Sequence, residues 1–382
     1  MRKYLLLIIL IILFTGCKTS HLPVFEPNEV LYTGEIFWIA DILPAWSGFV
    51  IACEIDHLSV DGSRDILLYY INTKGKVIWE KIIGNDGFEG AHCLSTAGEN
   101  VALAGFCSPE GSNTRDALII LFDRRGEILW EKTYGGQRDD EACSIKVHEN
   151  RFTVLGDTKL RGPGVESFWL LELDSNGEML WERFYGENEF NRGEELLLLE
   201  DGYIIAGTSF TDPSKKGVLL YKVSTSGEIE WRSYIGADDA SYALCSLQKQ
   251  EDGFLALTAK EPLDDPSTPL PMSRACLIMI DQAGKIQWKK EYAELEMDWS
   301  YATMIQGRNG FFIAGNASTI FTAALNKKFE VQWINKYYKK NGYYTVNSLI
   351  ELENGYLLSG NKEIEGRRTL WLFKVDMEGN TQ

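Results

Sequence analysis

The chain has 382 residues, with 55 Asp plus Glu against 38 Lys plus Arg and a formal charge of −17. An acid excess of that size argues against electrostatic binding of nucleic acid and against tight docking on anionic head groups, and it serves solubility. Two of the cations, Arg2 and Lys3, belong to a segment expected to be removed, which would take −17 to −19.

The chain opens on that segment. Arg2-Lys3 precedes an apolar run from Leu5 to Phe14, too short to span a bilayer, which needs roughly 20 residues. A basic start, a short apolar core and small residues before a cut read as a secretory signal over 1–16. Its close, Phe14-Thr15-Gly16-Cys17, resembles the lipobox of bacterial lipoproteins. The resemblance implies that Cys17 becomes the N-terminus and carries acyl chains, each buried CH2 being worth roughly 0.8 kcal/mol at the membrane. An ordinary secretory signal with an incidental Cys17 is the alternative. Residues 17–30 then read as a linker and 31–382 as the folded body.

From there the pattern is all strand. A phrase ending in Trp returns at Asn72-Gly75-Trp79, Asp123-Gly126-Trp130, Asp174-Gly177-Trp181, Ser224-Gly227-Trp231, Asp281-Gly284-Trp288 and Asn326-Phe329-Trp333. Its interval of roughly 50 residues is that of solenoids or propellers. In the third unit, short runs over 142–147, 152–155, 168–173 and 179–184 are bounded by Gly, Asn or Asp turns. Third strands such as Ala117-Leu118-Ile119-Ile120-Leu121 are apolar throughout, so each sheet is expected to be covered on both faces. In the phrase itself Asp or Asn caps a turn and Gly takes positive φ, placing each Trp in the packing between units. Phe329 stands where that Gly belongs, so its turn is expected to change type or carry strain.

A seventh copy begins at Asp376 and Gly379, and Gly34-Glu35-Ile36-Phe37-Trp38 looks like its missing half. The expected fold is therefore an all-β, seven-bladed β-propeller of four-stranded antiparallel blades. Its ring is closed by the N-terminal strand, Leu31 to Trp38, completing a last blade that contains 345–350, 356–359 and 370–375. An open β-solenoid is the alternative.

The pattern Asp-x-x-Gly-x-x-x-Trp-Glu-Lys-x-Tyr-Gly at Asp123 to Gly135, with Asp201-Gly202-Tyr203-Ile204-Ile205-Ala206-Gly207-Thr208, resembles the quinoprotein-like propeller repeats of bacterial secreted and lipid-anchored proteins. The resemblance implies a bacterial cell-envelope location, at the outer membrane or another extracytoplasmic membrane surface. One branch of that superfamily, the quinoprotein dehydrogenases, holds pyrroloquinoline quinone and calcium in its channel. Their adjacent-cysteine disulfide and a matching set of calcium carboxylates are missing here, and no cofactor is expected. A second branch, the lipid-anchored scaffold of the barrel-assembly machinery, shares anchor and propeller but usually has eight blades.

Catalytic motifs are not evident. His21, His57, His92 and His148 show no metal-ligand spacing, and there is no phosphate-binding loop, dinucleotide fingerprint or nucleophile elbow. Cys53, Cys93, Cys107, Cys143, Cys245 and Cys276 read as small buried hydrophobes with free thiols. The candidate site lies in the loops that lead from one unit to the next, which crowd one rim of a propeller. They hold Asp139, Asp140 and Glu141, then Glu194 and Glu195, Asp238 and Asp239, and Glu294, Glu296, Asp298 and Trp299, with Tyr242, Tyr301, Tyr343 and Tyr344 interleaved. Such a rim suits a cation, a basic peptide or a sugar; a solvated acidic rim is the plain alternative. The Pro-rich insertion from Leu263 to Pro271 is either a partner contact or a tolerated excursion. The expectation is a binding or scaffolding module for a protein or glycan partner, anchored at Cys17. The rival is an enzyme with a channel site, either a degenerate quinoprotein or a lyase or hydrolase using rim carboxylates.

Overall fold

The computed structural model describes residues 36–56, 63–84, 87–108, 112, 114–186, 190–212, 215–263, 273–297, 302–317, 319–337 and 342–381. The leader, Cys17, residues 31–35, Asp298, Trp299, Tyr301 and residues 264–271 of the insertion lie outside them. The first strands are β1 (Ile36–Ala45), β2 (Gly48–Asp56), β3 (Arg64–Asn72) and β4 (Val77–Ile83). Next come β5 (Phe88–Ala97), β6 (Asn100–Ser108), β7 (Asp116–Phe122) and β8 (Ile128–Tyr134), then β9 (Asp140–His148), β10 (Arg151–Lys159), β11 (Glu166–Leu173) and β12 (Met179–Tyr185). The chain continues through β13 (Phe190–Leu198), β14 (Gly202–Asp212), β15 (Lys215–Ser224) and β16 (Ile229–Ile235) to β17 (Ala240–Gln250), β18 (Gly253–Pro262), β19 (Ser273–Asp281) and β20 (Ile286–Met297). It ends with β21 (Ala302–Gly307), β22 (Gly310–Asn316), β23 (Ile320–Asn326), β24 (Val331–Tyr337), β25 (Tyr343–Tyr344), β26 (Ser348–Leu352), β27 (Gly355–Ile364) and β28 (Arg367–Val375).

Each group is an antiparallel meander, and the four runs read in the third unit fall inside β9 to β12. Single parallel bridges, Arg64 with Phe88 and Glu166 with Phe190, join neighbouring groups. Middle strands are buried along almost their whole length, as in β11, because sheets cover them on both sides. The first strands pack on one another in a closed cycle: β1 on β5, β5 on β9, β9 on β13, β13 on β17, β17 on β21, β21 on β26, and β26 on β1.

The repeated phrase ties each group to the next. Asp123 Oδ1 accepts the Arg125 and Glu127 N–H groups at 2.8 and 3.0 Å, which holds Gly126 at φ +77°. The Trp of the preceding group slides under this turn: Trp79 Nε1 donates to Arg124 O at 3.0 Å, and Trp130 Nε1 to Ser175 O at 3.1 Å. Four residues on, a tyrosine reaches the same turn, as Tyr134 to Gly177 O at 2.6 Å and Tyr337 to Gly379 O at 2.8 Å. The tryptophans are thus half-buried between sheets, where the sequence places them. Phe329 keeps the common turn rather than changing it, with φ +60° and its N–H on Asn326 O at 2.8 Å. A left-handed non-glycine residue costs roughly 1–2 kcal/mol. Here stacking of the ring on Phe311 and Trp288, at 5.1 and 4.8 Å between centroids, offsets it.

That packing leaves no room at the ordinary glycines. A Cβ on Gly284 (φ +81°) would sit 2.5 Å from the Trp231 ring, whereas one on Gly98 (φ +64°) would meet nothing within 4 Å. Gly284→Ala should therefore lose about 2–4 kcal/mol in urea denaturation and Gly98→Ala only about 1–2 kcal/mol. Equal losses would mean that the turn does not seat the tryptophan.

A second inter-sheet tie sits on the second strands. Gly156, Gly207, Gly315 and Gly360 are followed by Asp157, Thr208, Asn316 and Asn361. Three of these glycines are needed because a Cβ would run into a backbone carbonyl of the paired first strand: Glu141 O, Arg192 O and Thr345 O respectively for Gly156, Gly207 and Gly360. The residue after each glycine accepts a backbone N–H from the next group. Asp157 takes Gly193, Thr208 takes Leu244 at 3.3 Å, Asn316 takes Val346 at 2.8 Å and Asn361 takes Ile39 at 3.0 Å.

The last of these latches corrects the expected closure. The N-terminal strand does not complete the last group: Ile36 pairs with Ile55 and Trp38 with Glu54, so β1 is the innermost strand of the first group. Its core residues explain the difference. Ile36, Ile39 and Ile42 are buried against Leu67, Tyr69, Leu357 and Leu370, whereas the Trp-bearing fourth strands alternate half-buried with exposed. Beside β28, among the described residues, only the bridge of Thr381 to Val375 begins a further strand. The two ends therefore meet by packing and by Asn361, whose Nδ2 also donates to Phe37 O at 3.0 Å. Asp41 adds a pin across the same seam, accepting from Leu94 N–H at 2.9 Å and from Ser348 Oγ at 2.9 Å.

Candidate functional site

The innermost strands carry a shared irregularity that builds the site. Pairing with the second strand slips by one between Ile39 and Asp41, Ala91 and Cys93, Ala142 and Ser144, Gly193 and Glu195, and Leu244 and Ser246. Each slip is a β-bulge, with two residues opposite one, and bulges re-aim side chains. The extra residues are Ala40, His92, Cys143, Glu194 and Cys245, and all five line one central cavity of about 980 Å³. The residues that follow the first four bulges, Asp41, Cys93, Ser144 and Glu195, line it as well. From the remaining sheets come Ala302 with Thr303 and Val346 with Asn347.

The wall is not uniform. From β1 to β13 it is mostly ionisable or polar, with Trp38, Ala40 and Gly193 between; from β17 round to Val346 it is Leu244, Ala302, Thr303 and other uncharged side chains. At the mouth, cations and acids pair: Arg115 with Glu141 at 2.5 Å, Lys159 with Asp139 at 2.6 Å, and Arg192 with Glu166 at 3.5 Å. His92 Nε2 lies 3.2 Å from Glu141, and its ring packs on Phe106, over which the Arg115 guanidinium also lies. Burial alone would raise the Glu141 pKa, but hydrogen bonds and charge from His92 and Arg115 overcome it and hold the carboxyl at about 2.

Deeper in, burial wins. Glu194 is pushed up to about 8 by desolvation against a single hydroxyl partner, Thr208 Oγ1 at 3.1 Å. Glu195 is pushed up to about 7, with the Lys146 charge opposing its burial. Asp157 is raised well above the carboxylate range by burial, despite the Gly193 N–H it accepts, and Asp41 is raised for the same reason despite its three hydrogen bonds. The thiols of Cys93 and Cys245 are raised by burial to about 11 and about 12, so they are neutral and poorly nucleophilic. Among the described residues, no three His, Cys, Asp or Glu side chains are placed to hold a metal ion together.

The residues singled out from sequence divide accordingly. Asp139 and Glu141 line the cavity, each already in an ion pair. Asp140 is fully buried in the wall, accepting the Gly136 N–H at 2.6 Å. Asp238 and Asp239 are exposed on the rim; Asp239 O accepts Leu263 N–H at 2.9 Å as Asp139 O accepts Lys159 N–H at 3.0 Å, so the two loops are equivalent. Tyr242 and Tyr344 are core residues, while Tyr343 is exposed. Glu194 and Glu195 lie not in a loop but on the β13 bulge. Asp41, Ser144, Lys146 and Asp157 were missed. Their signal is a spacing of three between core residues, Ile39 to Ile42, Ala142 to Ile145 and Gly193 to Leu196, where an unbulged strand gives two or four.

No protein-family model matches the chain, and no curated protein matches it. Solved structures do. The β-propeller domain of the trilobed protease from Pyrococcus furiosus, which has an open velcro topology, aligns with a TM-score of 0.54 at 12% identity, over 92% of this chain and 96% of that one. Synechocystis apocarotenoid oxygenase aligns with a TM-score of 0.53 at 11% identity, over 91% of each chain. Pyrococcus horikoshii acylaminoacyl peptidase aligns with a TM-score of 0.52 at 14% identity; the match covers 89% of this chain but only 51% of the peptidase. At such identities the likeness is one of fold, not of activity. With four-stranded antiparallel sheets packed in a cycle around a central cavity, the chain is a β-propeller.

Proposed function

We propose that this is a seven-bladed propeller, lipid-anchored through Cys17 on an extracytoplasmic surface of the bacterial envelope, that binds or scaffolds a protein or glycan partner through the rim where the cavity opens. The blade count is supported by the closed cycle of first strands and by the cavity, which takes lining residues from six of them and from Val346 and Asn347 just before the seventh, β26. The quinoprotein-like repeat pattern and the lipobox-like Phe14-Thr15-Gly16-Cys17 support the family and the anchor. One observation supports the binding reading: the mouth charges of Arg115, Glu141, Lys159 and Asp139 are fixed in place by mutual pairing, while the Cys143 thiol that meets Asp157 is kept neutral by burial.

Photo-crosslinking in intact cells tests the rim. Probes replacing Asp139 or Asp238 should give one saturable adduct, and a probe at Glu80 on the outer strand β4 none; adducts at Glu80 alone would contradict the assignment. Cys17→Ser should release the protein from membranes. An enzyme in the channel has one observation in its favour: Glu194 and Glu195 titrate near neutrality, where a carboxyl both gives and takes protons. Turnover abolished by Glu194→Gln would establish it.

A further inference from the structure

We propose that the channel holds a second site, distinct from the rim and independent of what the rim binds: a seat for a small organic cation. Its primary ammonium would sit against Glu194, Glu195 and Ser144, and its hydrocarbon part would lie on Leu244, Ala302 and Val346.

The charge inventory of the wall points there. Arg115, Lys159 and Arg192 are each spent on a mouth carboxylate. That leaves Asp41, Asp157, Glu194 and Glu195 with Lys146, whose ammonium makes no hydrogen bond or ion pair among the described residues. Asp41 is saturated by Leu94, Ile42 and Ser348, and Asp157 by Gly193 and the Cys143 thiol at 3.6 Å. Glu194 has only the Thr208 hydroxyl and Glu195 only the Leu247 N–H, so each keeps an oxygen for a ligand. The bulge at Glu194 is what turns these two consecutive side chains into one space.

A separate observation asks for a ligand at the same place. Ser144 is 4% exposed and lines the cavity, and among the described residues its side chain makes no hydrogen bond. The hydroxyl opens on the cavity, where it is free to exchange a hydrogen bond with the head group of a ligand. Its strand, β9, packs directly against β13, and β17, which brings Leu244, packs on the other side of β13. An ammonium has three donors in a compact head, matching two carboxyl oxygens and one hydroxyl. The uncharged wall that begins at Leu244 suits a short alkyl chain, and the cavity of about 980 Å³ holds far more than a bare ion.

The test is calorimetric titration of the purified protein with hexylammonium, hexanol, hexanoate and calcium chloride as separate probes. Hexylammonium should bind at least about tenfold tighter than hexanol or hexanoate, with little heat from calcium. Shortening it to butylammonium should weaken binding about fourfold per CH2 removed. Glu194→Gln with Glu195→Gln should weaken hexylammonium about tenfold or more, and Ser144→Ala severalfold. Hexanoate binding as tightly as hexylammonium, or affinities unchanged in the Gln variants, would overturn the proposal. Should the Gln variants fail to fold, the preference among the probes on the unaltered protein decides it.

Discussion

Replacing Asn361 by leucine should cost about 2–5 kcal/mol of unfolding free energy, a larger loss than any exposed substitution in the chain. Asn361 is 5% exposed and serves both partners across the seam, the Ile39 N–H and the Phe37 carbonyl. Leucine matches its size but leaves both backbone groups buried and unpaired, and each unpaired group costs on the order of 1–3 kcal/mol. Asn316→Leu should be comparable, since it breaks the Val346 N–H bond and the Val346 carbonyl bond in the neighbouring latch. Location separates the two variants. Hydrogen exchange in Asn361→Leu should accelerate in β1 and β27, because a ring without a shared hairpin opens first where its ends meet. Arg368→Ala, which removes a 3.5 Å contact to Phe37 O, a 2.8 Å ion pair with Glu363 and a contact with the Phe37 ring, all at an exposed site, should lose less than about 1 kcal/mol. A seam no more sensitive than the surface would mean that the ends are held by something other than this latch.

Stability should also fall as pH rises, against the usual trend for an acidic protein. Glu194 and Glu195 have folded pKa values of about 8 and about 7, against the ordinary 4.5. Between pH 4.5 and about 8 the folded state keeps protons that the unfolded chain has released, so stability drops across that window. Asp157, raised by burial, acts in the same direction. Glu141 works the other way: held at about 2, it contributes stability above pH 4.5 that is lost as pH falls toward 2. The maximum should therefore lie near pH 5. Glu194→Gln with Glu195→Gln should flatten the alkaline limb, stabilising by on the order of 2–4 kcal/mol at pH 9 and almost nothing at pH 4. Urea denaturation from pH 4 to 9 reads both limbs; stability that is level or rising between pH 5 and 8 would contradict the buried, ligand-free setting of these carboxyls.

The repeat was legible because its turn chemistry is local. Asp123, Gly126 and Trp130 announce themselves by spacing, since an Asx turn, a left-handed glycine and a side chain two residues along a strand are all short-range facts. Closure was misread because it is not local. Trp38 matches the repeated phrase by eye, but the spacing of three at Ile36, Ile39 and Ile42 marks it as a bulged innermost strand. The site was read at its edge for the same reason. Loop carboxylates such as Asp139 and Asp238 stand out by composition, whereas the channel is lined from strand interiors by Asp41, Ser144, Asp157 and Glu194. A bulge moves a side chain to the other face without changing the residue types around it.

The cavity wall itself admits a direct chemical measurement. Its thiols, Cys93, Cys143 and Cys245, line the channel, the last two at bulges, whereas Cys53 and Cys276 are buried in the sheets. Aminoethyl and sulfonatoethyl methanethiosulfonates are similar in size and opposite in charge, and peptide mapping shows where each reacts. The channel as described predicts modification at Cys143 and Cys245 ahead of Cys53 and Cys276, with the cationic reagent faster by about tenfold at pH 9, where Glu194 and Glu195 are ionised, and the preference fading by pH 6. Labelling that favours Cys53 or Cys276 would contradict the bulged lining, and labelling that runs as fast with the anionic reagent at pH 9 would contradict its negative sector.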